Sequence, residues 1–220
     1  MKINTLINQH KSKFDKYYKK LLKHKLNNSV LSKAMIYSSI NGGKRIRAFL
    51  VSQSSKMVNL SNKNMMIISS SIESIHSYSL IHDDLPSMDN DDFRRGKPST
   101  HKKFNEATAI LAGDALHDLA FELLSKNLNN INPKKNLKLL NYLTMCTGYD
   151  GLAGGQSLDL LYENKKLSKF KIINMYKKKT GKLFEFSFAA PFIILGESNR
   201  RINFSKKYGS TFGIVFQIVD

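Results

Sequence analysis

The twenty residues from Met65 to Asp84, MMIISSSIESIHSYSLIHDD, contain no glycine or proline, and Pro86 follows close behind. A stretch this long and this free of breakers predicts a mostly buried helix. Pro86 disfavours helical geometry at Leu85, so the helix is expected to end there. Asp83 and Asp84 then fall on its last turn, where the negative end of the helix dipole makes carboxylates unfavourable unless a cation is bound. The chain continues LPSMDNDDFRRGKPSTH, which puts five carboxylates and two adjacent arginines into the thirteen residues from Asp83 to Arg95. Mg²⁺ takes oxygen ligands, usually a few carboxylates with substrate phosphates and water completing the shell, and guanidinium forks match phosphate oxygens. Asp83, Asp84 and Asp89 supply the carboxylates, with Asp89 swinging back from the loop, and Arg94 and Arg95 supply the forks. This composition predicts a site for several Mg²⁺ ions and a polyphosphate. The plainer reading is a solvated acidic loop at a helix end.

Helical periodicity extends almost throughout the chain. Helices are expected near residues 2–25, 31–40, 46–58, 65–85, 106–127, 134–148, 150–162, 168–196 with a break at Pro191, and 203–220, and no strand-like alternation persists. The fold class is therefore all-α, a helical bundle. With 220 residues and 41% hydrophobic content the chain can bury a core, most simply as one domain over 1–220. Phe184–Gly196, the most apolar segment, is too short to span a membrane and carries Glu185 and Pro191. The first twenty residues lack an apolar signal core, and the single cysteine, Cys146, excludes an internal disulfide, so a cytoplasmic location is expected. A net charge of +18 invites a nucleic-acid partner. The basic residues are spread as pairs and triplets with no nucleic-acid motif, which argues against one.

A second basic element lies in NGGKRIRAFL, residues 41–50. Gly42 and Gly43 open a tight entry to a helix, and Lys44 and Arg47, three apart, can share one face above a helix N-terminus, an anion cradle. Together with the Asp-rich run, this element resembles the trans-isoprenyl diphosphate synthases, and within them the bacterial farnesyl diphosphate synthase type. GGKRIR at 42–47, SLIHDDLPSMDNDDFRRGKPSTH at 79–101, AILAGDAL at 109–116, GGQSLDL at 154–160, KKTGKLFEFS at 178–187 and FGIVFQIVD at 212–220 follow in the family's order. Ala48 stands where the family usually has proline.

The resemblance implies an isoprenoid synthase helical bundle around a central cavity. It implies a prenyltransferase that condenses isopentenyl diphosphate with dimethylallyl or geranyl diphosphate to give farnesyl diphosphate and pyrophosphate, with up to three Mg²⁺ ions and a homodimeric assembly. Lys44, Arg47, His76 and Arg95 would hold the isopentenyl diphosphate. Asp83 and Asp89 would ligate Mg²⁺, with Asp84 supporting them and Arg94 contacting the allylic diphosphate. Lys179, Thr180 and Gln217 would line the allylic substrate and the developing cation, and Asp220 matches the first aspartate of the second Asp-rich motif. Asp114 and Asp159 read as helix-packing or supporting residues, and His82 as an orienting neighbour of Asp83. Plainer readings stand beside these: His76 as a satisfied core histidine, Lys179 as the end of a solvated lysine run, Gln217 as an ordinary hydrogen-bonded amide.

Tyr78 and Ser79 precede Asp83 by five and four residues, roughly 6 to 7.5 Å along a helix. In similar enzymes a bulky aromatic at that place stops elongation at fifteen carbons; the plainer reading of Tyr78 is core packing. GIVFQIVD is apolar nearly all round, the mark of a buried helix. Family members continue beyond this point with a second aspartate and several helices, so the chain is expected to be C-terminally truncated. It is then either the fragment of an active enzyme or an inactive remnant or non-catalytic partner subunit. A terpene cyclase also uses Asp-rich metal sites but has no need of the GGKRIR cradle.

Overall fold

The computed structural model describes residues 3–219. Eleven α-helices and one short hairpin occur among them. In chain order these are α1 (Ile3–Lys25), α2 (Val30–Ser39), α3 (Ile46–Met57), α4 (Asn62–Asp83), β1 (Phe93–Arg94), β2 (Lys97–Pro98), α5 (Thr100–Lys103), α6 (Glu106–Asn127), α7 (Pro133–Thr147), α8 (Leu152–Tyr162), α9 (Lys169–Tyr176), a π-helical segment (Lys177–Gly181), α10 (Lys182–Leu195) and α11 (Asn199–Val219). Local chemistry sets many of the helix ends. Ser29, Ser61, Asn132 and Ser168 accept hydrogen bonds from the amides of Ser32, Asn64, Lys134 and Lys171, capping α2, α4, α7 and α9. Gly196, left-handed at φ 72°, closes α10 through bonds from its own amide and that of Glu197 to Ile193 and Phe192. No described helix is long and apolar enough to cross a membrane.

The chain clusters into two compact units. One runs up to Phe49 and resumes over Ser70–Leu123; the other takes Leu50–Ser69 and the chain from Leu124 on. In the first unit, α4 is buried on nearly every side, as its lack of breakers predicts. Its many serines keep it thin and still satisfied: Ser71 Oγ donates to the Ala120 carbonyl of α6 at 2.9 Å, and Ser74 Oγ lies 2.6 Å from the Tyr18 hydroxyl of α1. The centre of this unit is an ion triad. Arg45, 4% exposed, donates to Asp15 Oδ1 of α1 at 2.8 Å, to Glu73 Oε2 of α4 at 2.9 Å and to the Ser39 carbonyl of α2 at 2.6 Å. Glu73 also accepts the Ala48 amide at 3.2 Å and so caps the N-terminus of α3 from another helix. Burial works against the Arg45 charge, yet Glu73 and Asp15 hold its pKa above the ordinary value.

The hairpin is absent from the sequence expectation. Its strands pair Phe93 with Pro98 and Arg94 with Lys97 around a two-residue turn, Arg95–Gly96, in which both residues have positive φ, 55° and 74°. Two positive φ values define the primed turn that matches strand twist. Strands of two residues carry no alternation, so periodicity does not reveal them.

In the second unit α10 packs between α7 and α11, and α8 lies against the π segment. The break expected at Pro191 does not occur, and α10 runs through it. A proline leaves the carbonyl four residues earlier without its helical donor; here the Ser54 hydroxyl lies 3.5 Å from the Ser187 carbonyl. The irregularity sits earlier instead, in the π-helical turn at Lys177–Gly181. The expectation of a buried GIVFQIVD also fails. One face of α11 packs through Phe212 and Phe216 on Phe184, with Gly213 so close that a Cβ would lie 2.7 Å from Gly181 Cα. Val215, Ile218 and Val219 are exposed.

Removing the arginine of the triad leaves buried Glu73 uncompensated. Arg45→Met is expected to lower stability by about 3–5 kcal/mol in urea denaturation, and adding Glu73→Gln to restore a large part of that loss.

Candidate functional site

The two units each carry a polar cluster. In the first, α4 ends at Asp83 and the following loop turns back on it: the Met88 and Asn90 amides donate to the Leu85 carbonyl and the Asp89 amide to the Asp83 carbonyl at 2.9 Å. Asp83 is half-buried and Asp89 exposed, at one helix end. Asp84 points inward, 2% exposed, and accepts two bonds from Arg94, one from Nε at 2.8 Å and one from Nη2. Arg94 Nη2 also reaches Asp91 Oδ2 at 3.0 Å. Burial lifts the Asp84 carboxyl above the usual carboxylate range while Arg94 resists, and the bond to Asp84 in turn holds Arg94 charged. Of the expected carboxylate set, Asp84 is therefore the one buried against an arginine.

Among the described residues no three His, Cys, Asp or Glu side chains converge into a metal-sized group. Asp220, the remaining expected ligand, lies outside the described residues. The donors present still fit Mg²⁺, which binds through one or two carboxylates and fills its octahedron with water and phosphate oxygens.

The basic wall is built on the same helix. His76 lies two turns before Asp83, and its pKa is driven well below the usual histidine value by burial first and then by Arg47, Arg95, Arg45 and Arg94. It is a neutral imidazole among guanidinium groups. Arg95 donates from Nη1 to the Gly42 carbonyl at 2.8 Å. Its guanidinium lies so close to Gly43 that a Cβ there would stand 2.7 Å from Cζ. Burial and then the neighbouring Arg45 depress its pKa, with Glu73 and Asp15 pulling the other way. Lys44 is exposed and Arg47 half-buried on either side of the buried Arg45. The left-handed backbone of Arg45, φ 55°, follows Gly42 and Gly43 at 86° and 97°. This turn lets Arg45 face the core between two neighbours that do not. Arg45 is the residue sequence reasoning passed over; three basic residues in four positions look alike until burial separates them. A small recess opens beside Arg94 and Arg95, with Tyr37, Asn41, Ser77 and Asp84 also lining it.

Tyr78 is half-buried, and Ser79 is buried with its hydroxyl donating to the His76 carbonyl at 3.0 Å. His82 turns to α6, where its Nε2 is 3.1 Å from the Ile110 carbonyl and 3.7 Å from Asp114. The glycine of AILAGDAL explains itself here, since a Cβ on Gly113 would stand 2.2 Å from that nitrogen.

In the second unit, the π-helical turn carries Lys179 and Thr180. Such insertions recur at functional sites because they re-aim side chains. Lys179 Nζ pairs with Asp159 Oδ2 of α8, and Lys178 with Asp150 at 2.6 Å. Gly155 of GGQSLDL lets α8 lie against this turn, where a Cβ would be 2.1 Å from the Lys179 nitrogen. The Thr180 hydroxyl, 6% exposed, donates to Gln217 Oε1 at 2.6 Å, joining two of the expected residues.

Comparison with known proteins identifies the family. The polyprenyl synthetase family matches residues 28–220. The farnesyl diphosphate synthase of Haemophilus influenzae is 42% identical over 195 residues, covering 88% of this chain and 66% of that protein. That of Bacillus subtilis is 40% identical over 191 residues, 86% of this chain and 64% of the relative. An apo FPP/GFPP synthase structure from Zymomonas mobilis superposes with TM-score 0.93 at 36% identity, covering 99% of this chain and 81% of that one. The fold is thus the all-α fold of the isoprenoid synthases. The chain belongs to the polyprenyl synthetase family. It spans a little under two thirds of the length of the curated relatives named here.

Alanine at Gly42 or Gly43 meets left-handed strain of about 1–3 kcal/mol, but only at Gly43 does it also strike Arg95. Because the exposed guanidinium can move aside, the two variants are expected to melt within about 2–4 °C of each other, the shift one kcal/mol produces in a chain of this size.

Proposed function

We propose that this chain, as a single polyprenyl synthase domain over residues 1–220, performs the Mg²⁺-dependent condensation of isopentenyl diphosphate with dimethylallyl or geranyl diphosphate, releasing farnesyl diphosphate and pyrophosphate. The observation that carries the reading is the joining of two opposed surfaces on one helix. Asp83 and the folded-back Asp89 stand at the end of α4, while His76, two turns earlier, is surrounded by Arg47 and Arg95. The names of the relatives agree with it.

Lys44, Arg47 and Arg95 take the diphosphate of isopentenyl diphosphate as charged partners, and His76, kept neutral by burial and its arginine neighbours, joins them by hydrogen bonding alone. Asp83 and Asp89 would hold the metal, and by the family resemblance Asp220 would add a further carboxylate. Bound Mg²⁺ supplies Lewis-acid stabilisation of charge on the departing diphosphate. Arg94 orients the loop through Asp84 and Asp91 and adds positive potential beside that group. The Thr180 proton is committed to Gln217, so the threonine oxygen presents lone pairs, and these steady the allylic cation. The double bond of isopentenyl diphosphate attacks the cation, and the proton released passes to pyrophosphate. Tyr78 stops the growing tail at fifteen carbons, with Ser79 beside it. A cytoplasmic homodimer is the assembly this reading implies.

Incorporation of radiolabelled isopentenyl diphosphate into farnesyl product, with geranyl diphosphate and Mg²⁺ supplied, tests the proposal. A charge about 4 Å from the reacting group contributes roughly 4 kcal/mol at an effective dielectric near 20, so Asp83→Ala or Asp89→Ala is expected to cost about 10²–10³-fold in rate. Tyr78→Ala is expected to give longer products. Incorporation indifferent to both aspartates would overturn the assignment.

A further inference from the structure

Tyr78 does not stand alone on α4. Its ring meets His82, one turn along the same helix, in a T-shaped contact at 4.9 Å, and His117 of α6 in a second at 5.1 Å with planes 72° apart. His117 is itself backed by Phe121, at 5.0 Å. Gly113, His117 and Phe121 are spaced four apart, so one stripe of α6 faces this ring cluster. Gly113 brings α6 close to the His82 ring, and the Ile110 carbonyl of the same helix lies 3.1 Å from that ring's Nε2. The tyrosine is thus wedged between two imidazoles, one on its own helix and one on the facing helix. A tail pressing on Tyr78 presses through it on His117, and through that on Phe121.

We infer that His117 is a specificity-determining positioning residue, which sets the length of prenyl chain the protein accepts by bracing Tyr78 against α6. The inference rests on the reading of Tyr78 as the chain stop. Edge-to-face contact needs a flat ring with a polarised edge, so phenylalanine can substitute at this position and alanine cannot. Removing the brace frees the Tyr78 ring to turn toward α6 and opens room for a further isoprene unit.

The test is titration calorimetry of the full chain with geranyl and geranylgeranyl diphosphates in the presence of Mg²⁺, with circular dichroism to establish that each variant folds. Because a hydrophobic pocket discriminates single methylenes about 10–200-fold, the unaltered chain is expected to bind the twenty-carbon ligand at least about tenfold more weakly than the ten-carbon one. His117→Ala is expected to reduce that gap to about threefold or less, and His117→Phe to keep it. Adding His117→Ala to Tyr78→Ala is expected to change nothing more, because the brace has nothing left to hold. A folded His117→Ala that keeps the full gap overturns the inference, as does further relaxation in the double variant, which would make His117 a wall in its own right. Equal binding of both ligands by the unaltered chain overturns the reading of Tyr78 on which it rests. Binding of neither removes the proposed function itself.

Discussion

The pairing of Arg45 with Glu73 and Asp15 is the contact on which the first unit depends. Arg45 is almost fully buried, sits in a left-handed conformation that a non-glycine residue adopts only when its surroundings demand it, and joins α1, α2 and α4 at one guanidinium. Glu73 uses its second oxygen to cap α3. The turn that carries Lys44 and Arg47 is therefore held by the buried ionic contacts of Arg45, which lies between them. A buried ion pair adds little net stability over a well-packed apolar pair. Its value here is geometric, since it specifies one conformation for a loop that two glycines would otherwise leave loose.

The arginines divide by their partners. Arg45 answers to two carboxylates and serves structure. Arg94 is shared between Asp84 and Asp91 and ties the acidic loop to its hairpin. Arg95 donates to the Gly42 carbonyl, lies in a field of other arginines that Glu73 and Asp15 partly offset, and sits against Gly43. An anion arriving beside Arg95 and His76 meets a positive potential already in place, which is electrostatic preorganisation. The second unit repeats the economy with a lysine: Asp159 and the close approach at Gly155 hold Lys179 in a π-helical turn, and Thr180 is oriented by Gln217.

Much of this was legible from residue order. The end of α4 before Pro86 follows from a local rule, and the longer helices lie within a few residues of their expected places. Several features escaped for identifiable reasons. The hairpin at 93–98 is too short for periodicity and turns on Arg95–Gly96 in place of the usual Asn-Gly. Pro191 reads as a break until Ser54, distant in sequence, is seen beside the carbonyl it orphans. The apolar content of α11 predicts burial, yet only the face meeting Phe184 is covered. Arg45 lies between the like-charged Lys44 and Arg47, and Asp84 follows Asp83; only tertiary burial tells which of them turns inward.

The central claim is that Asp83 and Asp89 serve a metal-bound diphosphate while Asp84 serves Arg94. A crystal structure with Mn²⁺ and pyrophosphate, phased to show anomalous scattering from the metal, tests this directly. The account predicts anomalous peaks with Asp83 and Asp89 carboxylate oxygens as ligands, pyrophosphate bridging the metal, and Asp84 still paired with Arg94. Metal bound through Asp84, or bound away from Asp83 and Asp89 altogether, would contradict it.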